Sequence, residues 1–328
     1  MALTNEQVSR IEREYQERRR QAAETQKRRE AEVAEKVPGF AEADGERLRI
    51  SRERASALLK GDSSLAGELA GRLSKISLRK RELLENAGYP ASYLERPVRC
   101  PFCGDTGYVN GEKCRCFRQM VIDLFYRDSA LWEAVRRENF GSFSYRWFDD
   151  QEPLAELNGK TSRENMRRNV RDAKNFISRF GEEPQNLLLT GKTGMGKTFL
   201  CNCIADALLK EGFSVLYMTA SEFFDRMARL SFGNSGEDFE EVMAGADLLI
   251  LDDLGMEITN SFVAASLFRT VNERCLKRRS TIISTNLSLS QIRDRYSERV
   301  SSRIMDHYRI LVFVGDDIRV RKRQERTL

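Results

Sequence analysis

Apolar residues are sparse at the start of the chain and become dense only past its middle. From residue 1 to about 36 nearly every residue is a helix former, and the apolar positions are Val8, Ile11, Tyr15 and then mostly alanine. Charge is interleaved and nearly balanced, with nine Lys/Arg and eight Asp/Glu in residues 1–40. The pattern predicts one weakly amphipathic helix, ended by Pro38-Gly39, that either docks a partner or lies in solvent. Leucines at 48, 58, 59, 65, 69 and 73 predict a second helical region from about Glu46 to Asn86. A break near Gly61-Asp62-Ser63-Ser64 folds it into a hairpin. Residues 118–135 read as a further helix, with Met120, Leu124, Phe125, Leu131 and Trp132 as its apolar positions. Five aromatics then fall between Phe140 and Phe148. They read as a connector packing its rings on the next domain, with base stacking as the lesser alternative. A helix over Ser162–Phe180 carries Met166, Val170, Ala173, Ile177 and Phe180 on one face.

Beyond this point short apolar runs alternate with helical spacing. Asn186–Thr190, Ser214–Thr219, Leu248–Leu251, Ser280–Thr285 and Arg309–Val314 read as strands. Between them lie helical patterns through Leu200, Ile204, Ala207 and Leu208, over Ser221–Leu230 and over Ser288–Tyr296. GNSG at 233–236 reads as a loop, and residues 237–246 as a short helix. Continuous apolar strands alternating with helices predict an α/β domain with a buried parallel sheet.

Composition narrows the setting. The chain has 328 residues, 41% apolar and 32% charged, which suits a soluble globular protein of two or three domains. The first twenty residues hold no apolar core, so no secretory signal is expected, and no run approaches bilayer length. A reducing cytoplasm is therefore expected, where thiols stay reduced or bind metal. The net charge of +5 is compatible with nucleic-acid contact without demanding it.

Against that background the cysteines stand out. CPFCGDTGYVNGEKCRC holds four of the seven, Cys100, Cys103, Cys114 and Cys116, spaced C-x2-C-x10-C-x-C. Asn110-Gly111 is a two-residue hairpin signal, because both residues tolerate positive φ. A hairpin there folds the second pair back onto the first, so that four thiolates converge on one tetrahedral Zn2+. Gly104 and Gly107 supply tight backbone turns. Four buried thiols or a disulfide pair are the alternatives. A site closed by four thiolates keeps no open position, so the zinc is expected to be structural. Cys201, Cys203 and Cys275 lie in helical patterns and read as core thiols.

Two motifs carry the candidate chemistry. Gly191-Lys192-Thr193-Gly194-Met195-Gly196-Lys197-Thr198 matches G-x4-G-K-[ST] between a strand and a helix. Gly191, Thr193, Gly194 and Gly196 would let backbone N–H groups wrap phosphates at the helix N-terminus. Lys197 would reach the β- and γ-phosphates of a bound nucleotide, and the Thr198 hydroxyl would ligate Mg2+. DLLILDDLG, residues 247–255, is a buried strand ending in two acids. Asp252 would hold Mg2+, directly or through water, and Asp253 would polarise the attacking water; a plain strand-to-loop turn is the alternative. Asn286, at the end of the next strand, would touch the γ-phosphate or else cap the following helix. Arg299 and Arg303 share a helix face and suit a phosphate on a neighbouring subunit, or else are ordinary surface arginines.

The ordered set TGKTGMGKT, LLILDDLG, TIISTN and ERVSSRI, with ENFGSF before it and GDDIR after it, resembles the bacterial replicative-helicase loaders, the DnaC/DnaI-type AAA+ ATPases. The resemblance covers roughly residues 136–320. It implies a P-loop AAA+ core with a parallel five-stranded sheet. Only about a dozen residues follow the last strand, so no C-terminal lid of the kind in fuller AAA+ proteins is expected, and no room for a lid-borne sensor-2 arginine. The resemblance also implies that Asn286 is the sensor-1 residue and that Arg303 is an arginine finger acting in trans, with Arg299 auxiliary. Residues 1–135 then read as a helical adaptor module with the four-cysteine zinc knuckle at 100–116. Residues 136–328 read as the ATPase domain with a basic C-terminal tail.

The implied activity is ATP-dependent loading of a replicative DNA helicase onto single-stranded DNA. The helicase would be held by the N-terminal module, no membrane would be involved, and copies would associate through AAA+ interfaces. The tail IRVRKRQERTL, with five Lys/Arg against one Glu, would add phosphate contacts or stay solvated. Phe223, Phe224, Arg226 and Arg229 form a candidate DNA-facing set, against a core role for the phenylalanines. An IstB-type ATPase assisting a transposase and a nucleotide-binding scaffold without turnover are the alternatives. A zinc-dependent hydrolase is disfavoured, because four thiolates close the metal and the sole histidine, His307, is far off in sequence.

Overall fold

The computed structural model describes residues 5–125, 130–231 and 237–325. The chain divides into two compact units, residues 12–106 and residues 107–328 with 1–11. The GNSG segment at 233–236 lies outside the described residues.

Helix α1 runs Asn5–Lys36, α2 Phe40–Leu59 and α3 Ser63–Asn86. Gly39, at φ 79°, takes the left-handed conformation that lets α2 begin immediately after α1. Asp62 caps α3, its carboxylate accepting from the Leu65 amide at 3.0 Å. Ala43 and Ile50 of α2 bury against Leu69 and Ile76 of α3. The repeat of seven between Ala43 and Ile50, and again between Leu69 and Ile76, is the spacing of an antiparallel helix seam. Val33, Val37, Phe40 and Leu84 form a second small cluster. Asp105 is buried, and its two oxygens accept from the Arg99 and Cys100 amides at 2.8 and 2.9 Å. That clamp shapes the turn carrying the first cysteine pair.

The second unit opens with the hairpin of β1, Tyr108–Val109, and β2, Glu112–Lys113. Asn110 (φ 52°) and Gly111 (φ 84°) form its turn. The helical region expected over 118–135 is two helices, α4 Arg115–Phe125 and α5 Ala130–Arg137, with residues 126–129 between them outside the described set. Then come α6 Ser162–Ser178, β3 Asn186–Gly191, α7 Lys197–Lys210, β4 Val215–Thr219, α8 Ala220–Ser231 and α9 Glu237–Gly245. They are followed by β5 Leu248–Leu254, α10 Ser261–Leu276, β6 Ser280–Thr285, α11 Leu289–Arg295, α12 Glu298–His307, β7 Tyr308–Phe313 and α13 Ile318–Glu325.

The five strands from β3 to β7 form one parallel sheet in the order β4-β5-β6-β3-β7. Side chains alternate between its faces. Leu187 and Leu189 of β3 join Tyr217, Ile250 and Ile282 in a core against α6 and α7. Leu188 joins Met218, Leu249, Leu251 and Ile283 in a core against α8 and α10 to α12. Each leucine or isoleucine buried this way contributes about 1.5–3 kcal/mol, which explains strands apolar on every residue. Strand β3 lies between β6 and β7, so the loop leaving its C-terminal edge opens beside the ends of β5 and β6. That edge is where ligands bind in open α/β sheets.

Phe223 and Phe224 are buried in the core under α8, so they do not form a DNA-facing set. Arg226 pairs with Glu222 at 2.9 Å, and Arg229 is exposed. The amphipathic spacing of α8 aims both rings at the sheet.

Candidate nucleotide site and cysteine cluster

An open cavity of about 540 Å³ lies at the C-terminal edge of the sheet. Thr193, Gly194, Gly196, Lys197 and Thr198 line one part of it, and Asp253, Asn286, Arg319 and Lys322 another. Glu138, Phe143, Ser144, Trp147, Phe148 and Phe199 are among the residues that line the rest.

The glycine loop has the geometry of an anion cradle. Gly194 and Gly196 sit at φ 81° and 90°, which turns successive amides toward one point. Among the described residues the amides of Thr193–Gly196 donate to no protein acceptor. A Cβ on Gly194 would lie 2.1 Å from the Asp317 carboxyl, so only glycine fits. Lys197 opens α7 and is buried. Its Nζ donates to the carbonyls of Gly191 and Lys192 at 2.7 and 2.8 Å. Burial lowers its affinity for a proton, and the charges of Asp253 and Asp252 oppose that shift. An ammonium fixed across the loop by carbonyls, with unpaired amides beside it, suits a polyphosphate.

The two acids end β5. Asp252 is buried and accepts from Tyr217 Oη at 3.2 Å and from the Ser284 hydroxyl. Asp253 is exposed toward the cavity, at φ 55°, a conformation uncommon for a residue other than glycine. Its amide donates to Ser284 Oγ at 3.1 Å. One hydroxyl on β6 therefore holds both acids. Burial, and then the neighbouring Asp252 charge, raise the Asp253 pKa, while Lys197 and Arg319 pull it down. Asp253 and the Thr198 hydroxyl share the cavity with Lys197 and are oxygen donors suited to Mg2+, whereas Asp252 does not line the cavity and has both carboxylate oxygens engaged by hydroxyls.

Asn286 lies at the cavity just past β6, its Nδ2 4.0 Å from Met256 Sδ. It is not the cap of α11. Ser288 fills that role in a capping box with Gln291. Arg303 and Arg299 sit on α12, and neither lines the cavity of its own chain. Arg303 is half-buried, with Nη1 3.5 Å from His307 Nε2.

Three contributors escaped the sequence reading. Ser284 looked like one more strand residue. The aromatic connector does pack on the core, with Phe143 meeting Phe148 and Phe199 at ring distances of 6.1 and 5.6 Å, yet it also walls the cavity. The third is the basic tail. After β7 the described residues form a single short helix, α13, and that helix itself brings Arg319 and Lys322 to the cavity. The Ile318 amide donates to the Gly194 carbonyl at 3.0 Å, and Arg321 pairs with Asp149 and Asp316. An arginine thus reaches the cavity from α13, and residues 318–325 are not a stretch open on all sides.

The sulfurs of Cys100, Cys103, Cys114 and Cys116 lie within 4.8 Å of one another. Tetrahedral Zn–S bonds of about 2.3 Å place sulfurs about 3.8 Å apart, so the cluster can close on one ion with small adjustments. All seven cysteines are among the described residues, and none is in a disulfide. Cys201 and Cys203 are buried in α7, and Cys275 is half-buried in α10.

A glycine cradle leading into α7, paired acids on the adjacent strand and a β4-β5-β6-β3-β7 parallel sheet together define a P-loop ATP-binding domain of the AAA+ kind. The chain belongs to the IstB-like ATP-binding protein family, whose model matches residues 117–326. It is similar to the replicative helicase loader DnaC of Buchnera aphidicola subsp. Acyrthosiphon pisum, 26% identical over 150 residues, 45% of this chain and 61% of that protein. It therefore spans less than two thirds of that relative's length. The replicative helicase loader DnaC of Escherichia coli K12 is 26% identical over 181 residues, 52% of this chain and 73% of that protein. The crystal structure of the DnaC helicase loader aligns with 57% of this chain and 99% of its own, at 22% identity and a TM-score of 0.44. Among the described residues no helix is long and apolar enough to cross a membrane.

Proposed function

We propose that the chain is an ATP-dependent loader of a replicative DNA helicase onto single-stranded DNA, with ATP binding and hydrolysis as its switch. The observation that supports this most is the joint hold of Ser284 on Asp252 and Asp253, opposite Lys197, in a chain related to helicase loaders.

We give each residue a role that its surroundings support. The amides of Thr193–Gly196 and the Lys197 ammonium bind the β- and γ-phosphates. Thr198 and, through water, Asp252 hold Mg2+, which when bound neutralises charge developing on the phosphates. Asp253, which lines the cavity, orients the attacking water and accepts its proton. Asn286 stands beside it as the γ-phosphate contact of sensor 1. Arg319 adds a cation from α13. Arg303, off its own cavity, reaches the phosphate of a neighbouring copy as an arginine finger. Residues 1–135 form the adaptor that holds the helicase, stapled by Zn2+ at the four cysteines, and residues 136–328 form the ATPase domain. ATP favours an assembly that grips helicase and single-stranded DNA, and hydrolysis relaxes it.

The test is a reconstituted loading assay with the host's replicative helicase on single-stranded DNA coated with its binding protein. Loading that needs ATP and this protein supports the proposal. Loading indifferent to the protein, with stimulation of a transposase instead, supports the transposition reading. Tight nucleotide binding with no turnover in the presence of single-stranded DNA supports the scaffold reading.

A further inference from the structure

We infer that Glu138, positioned by Asn202, reads the exocyclic amine of the adenine base. This rests on the nucleotide reading of the cavity. The phosphate end of the cavity is fixed at the N-terminus of α7, where Gly196, Lys197 and Thr198 line it. Asn202 lies five residues beyond Lys197 on the same helix, about 7.5 Å further along its axis at about 1.5 Å per residue. A carboxylate bound to Asn202 therefore stands away from the phosphates, which it would repel, and toward the base.

Glu138 follows α5 and lines the cavity. One of its oxygens, Oε2, accepts from Asn202 Nδ2 at 2.7 Å. Asn202 is wholly buried, and its Oδ1 has no hydrogen-bond partner among the described residues. Asn202 does not itself line the cavity; it holds Glu138 from behind, and its orphan Oδ1 leaves its amide turned to that one carboxylate. One acceptor, Glu138 Oε1, thus stands at this end of the cavity, with Oε2 fixed by Asn202. The walls around it are flat and apolar. Phe143 and Phe148 stack with an interplanar angle of 16°, and Phe199 meets Phe143 edge-on. Flat walls with an acceptor at one edge suit a planar heterocycle bearing an amino group. Adenine offers that amine. A purine with a 6-carbonyl in the same pose would set oxygen against carboxylate, leaving both unpaired.

The full-length protein is titrated with a fluorescent ATP analogue in the presence of Mg2+. The probe is then displaced by ATP, by purine riboside triphosphate, which lacks the amine, and by GTP. Wild type is expected to hold ATP about tenfold tighter than purine riboside triphosphate, the worth of a hydrogen bond to an ionised group. In Glu138→Ala that gap is expected to fall to about twofold, with purine riboside triphosphate affinity little changed. Asn202→Ala is expected to narrow the gap in the same direction. Glu138 is half-buried, so its variant keeps the test available should Asn202→Ala fail to fold. A Glu138–Asn202 pair that merely staples α5 to α7 would lower the melting temperature and leave selectivity intact. An undiminished gap in Glu138→Ala, equal affinities in wild type, or a preference for GTP each overturns the inference while leaving nucleotide binding standing. Binding of none of the three by wild type overturns the nucleotide reading itself.

Discussion

The Asp253 amide donates to Ser284 Oγ across 3.1 Å, joining the acidic end of β5 to β6. The same hydroxyl donates to Asp252, so one side chain orients a backbone amide and a carboxylate together. Ser284→Ala removes both bonds without adding bulk. Steady-state ATP hydrolysis is expected to fall about 10–100-fold, the usual cost of losing a group that orients a ligand-holding side chain. ATP affinity measured by titration is expected to stay within about threefold, because the cradle is untouched.

Gly194 is held at φ 81°, with Asp317 where its Cβ would be. Asp317 Oδ1 accepts from the Arg319 amide at 2.8 Å and so starts α13. Gly194→Ala combines left-handed strain with expulsion of that cap. A loss of about 1–2 kcal/mol in stability is expected by denaturant titration, with weaker ATP binding. Unchanged stability and affinity would mean that α13 does not pack on the loop.

Arg319 shares the cavity with Lys197 and lowers the Asp253 pKa against the pull of burial. Arg319→Ala is expected to weaken ATP about tenfold and ADP much less, as the proposed contact of the arginine with the terminal phosphate requires. Calorimetric titration of both nucleotides measures the difference.

Arg303 lies on α12 outside its own cavity. Arg303→Ala is expected to leave ATP affinity unchanged and to lower stimulated hydrolysis about 10³-fold or more, as the loss of an arginine finger does. Mixing it with a Lys197→Ala chain, which lacks its own site but supplies Arg303, is expected to restore turnover in part. Full-rate hydrolysis by isolated monomers would contradict the trans role.

The four clustered cysteines make metal removal a separate test. Metal analysis of the purified chain is expected to return about one zinc ion, released by a thiol-reactive reagent. Cys114→Ser together with Cys116→Ser is expected to lose the ion and helicase capture while keeping ATP binding.

The parts legible in the sequence were those in which neighbours in the chain are neighbours in space. The cradle from Gly191 to Thr198, the acids ending β5 and the Asn110-Gly111 turn are each contained in a few residues. Strand existence followed from apolar runs, but the order β4-β5-β6-β3-β7 did not, because periodicity carries no information about which strands pair. Ser284, Glu138 and Arg319 meet other parts of the site from 31 or more residues away along the chain, and alone each looks like an ordinary polar position. Phe223 and Phe224 were ambiguous because a helix face with arginines beside it suits solvent or DNA equally, and only the sheet beneath decides.

The most direct test of the central account is Lys197→Ala, assayed for ATP affinity and for helicase loading in one preparation. A loss of about a hundredfold or more in affinity, accompanied by loss of loading, is the expected result. Undiminished ATP affinity with full loading would contradict it.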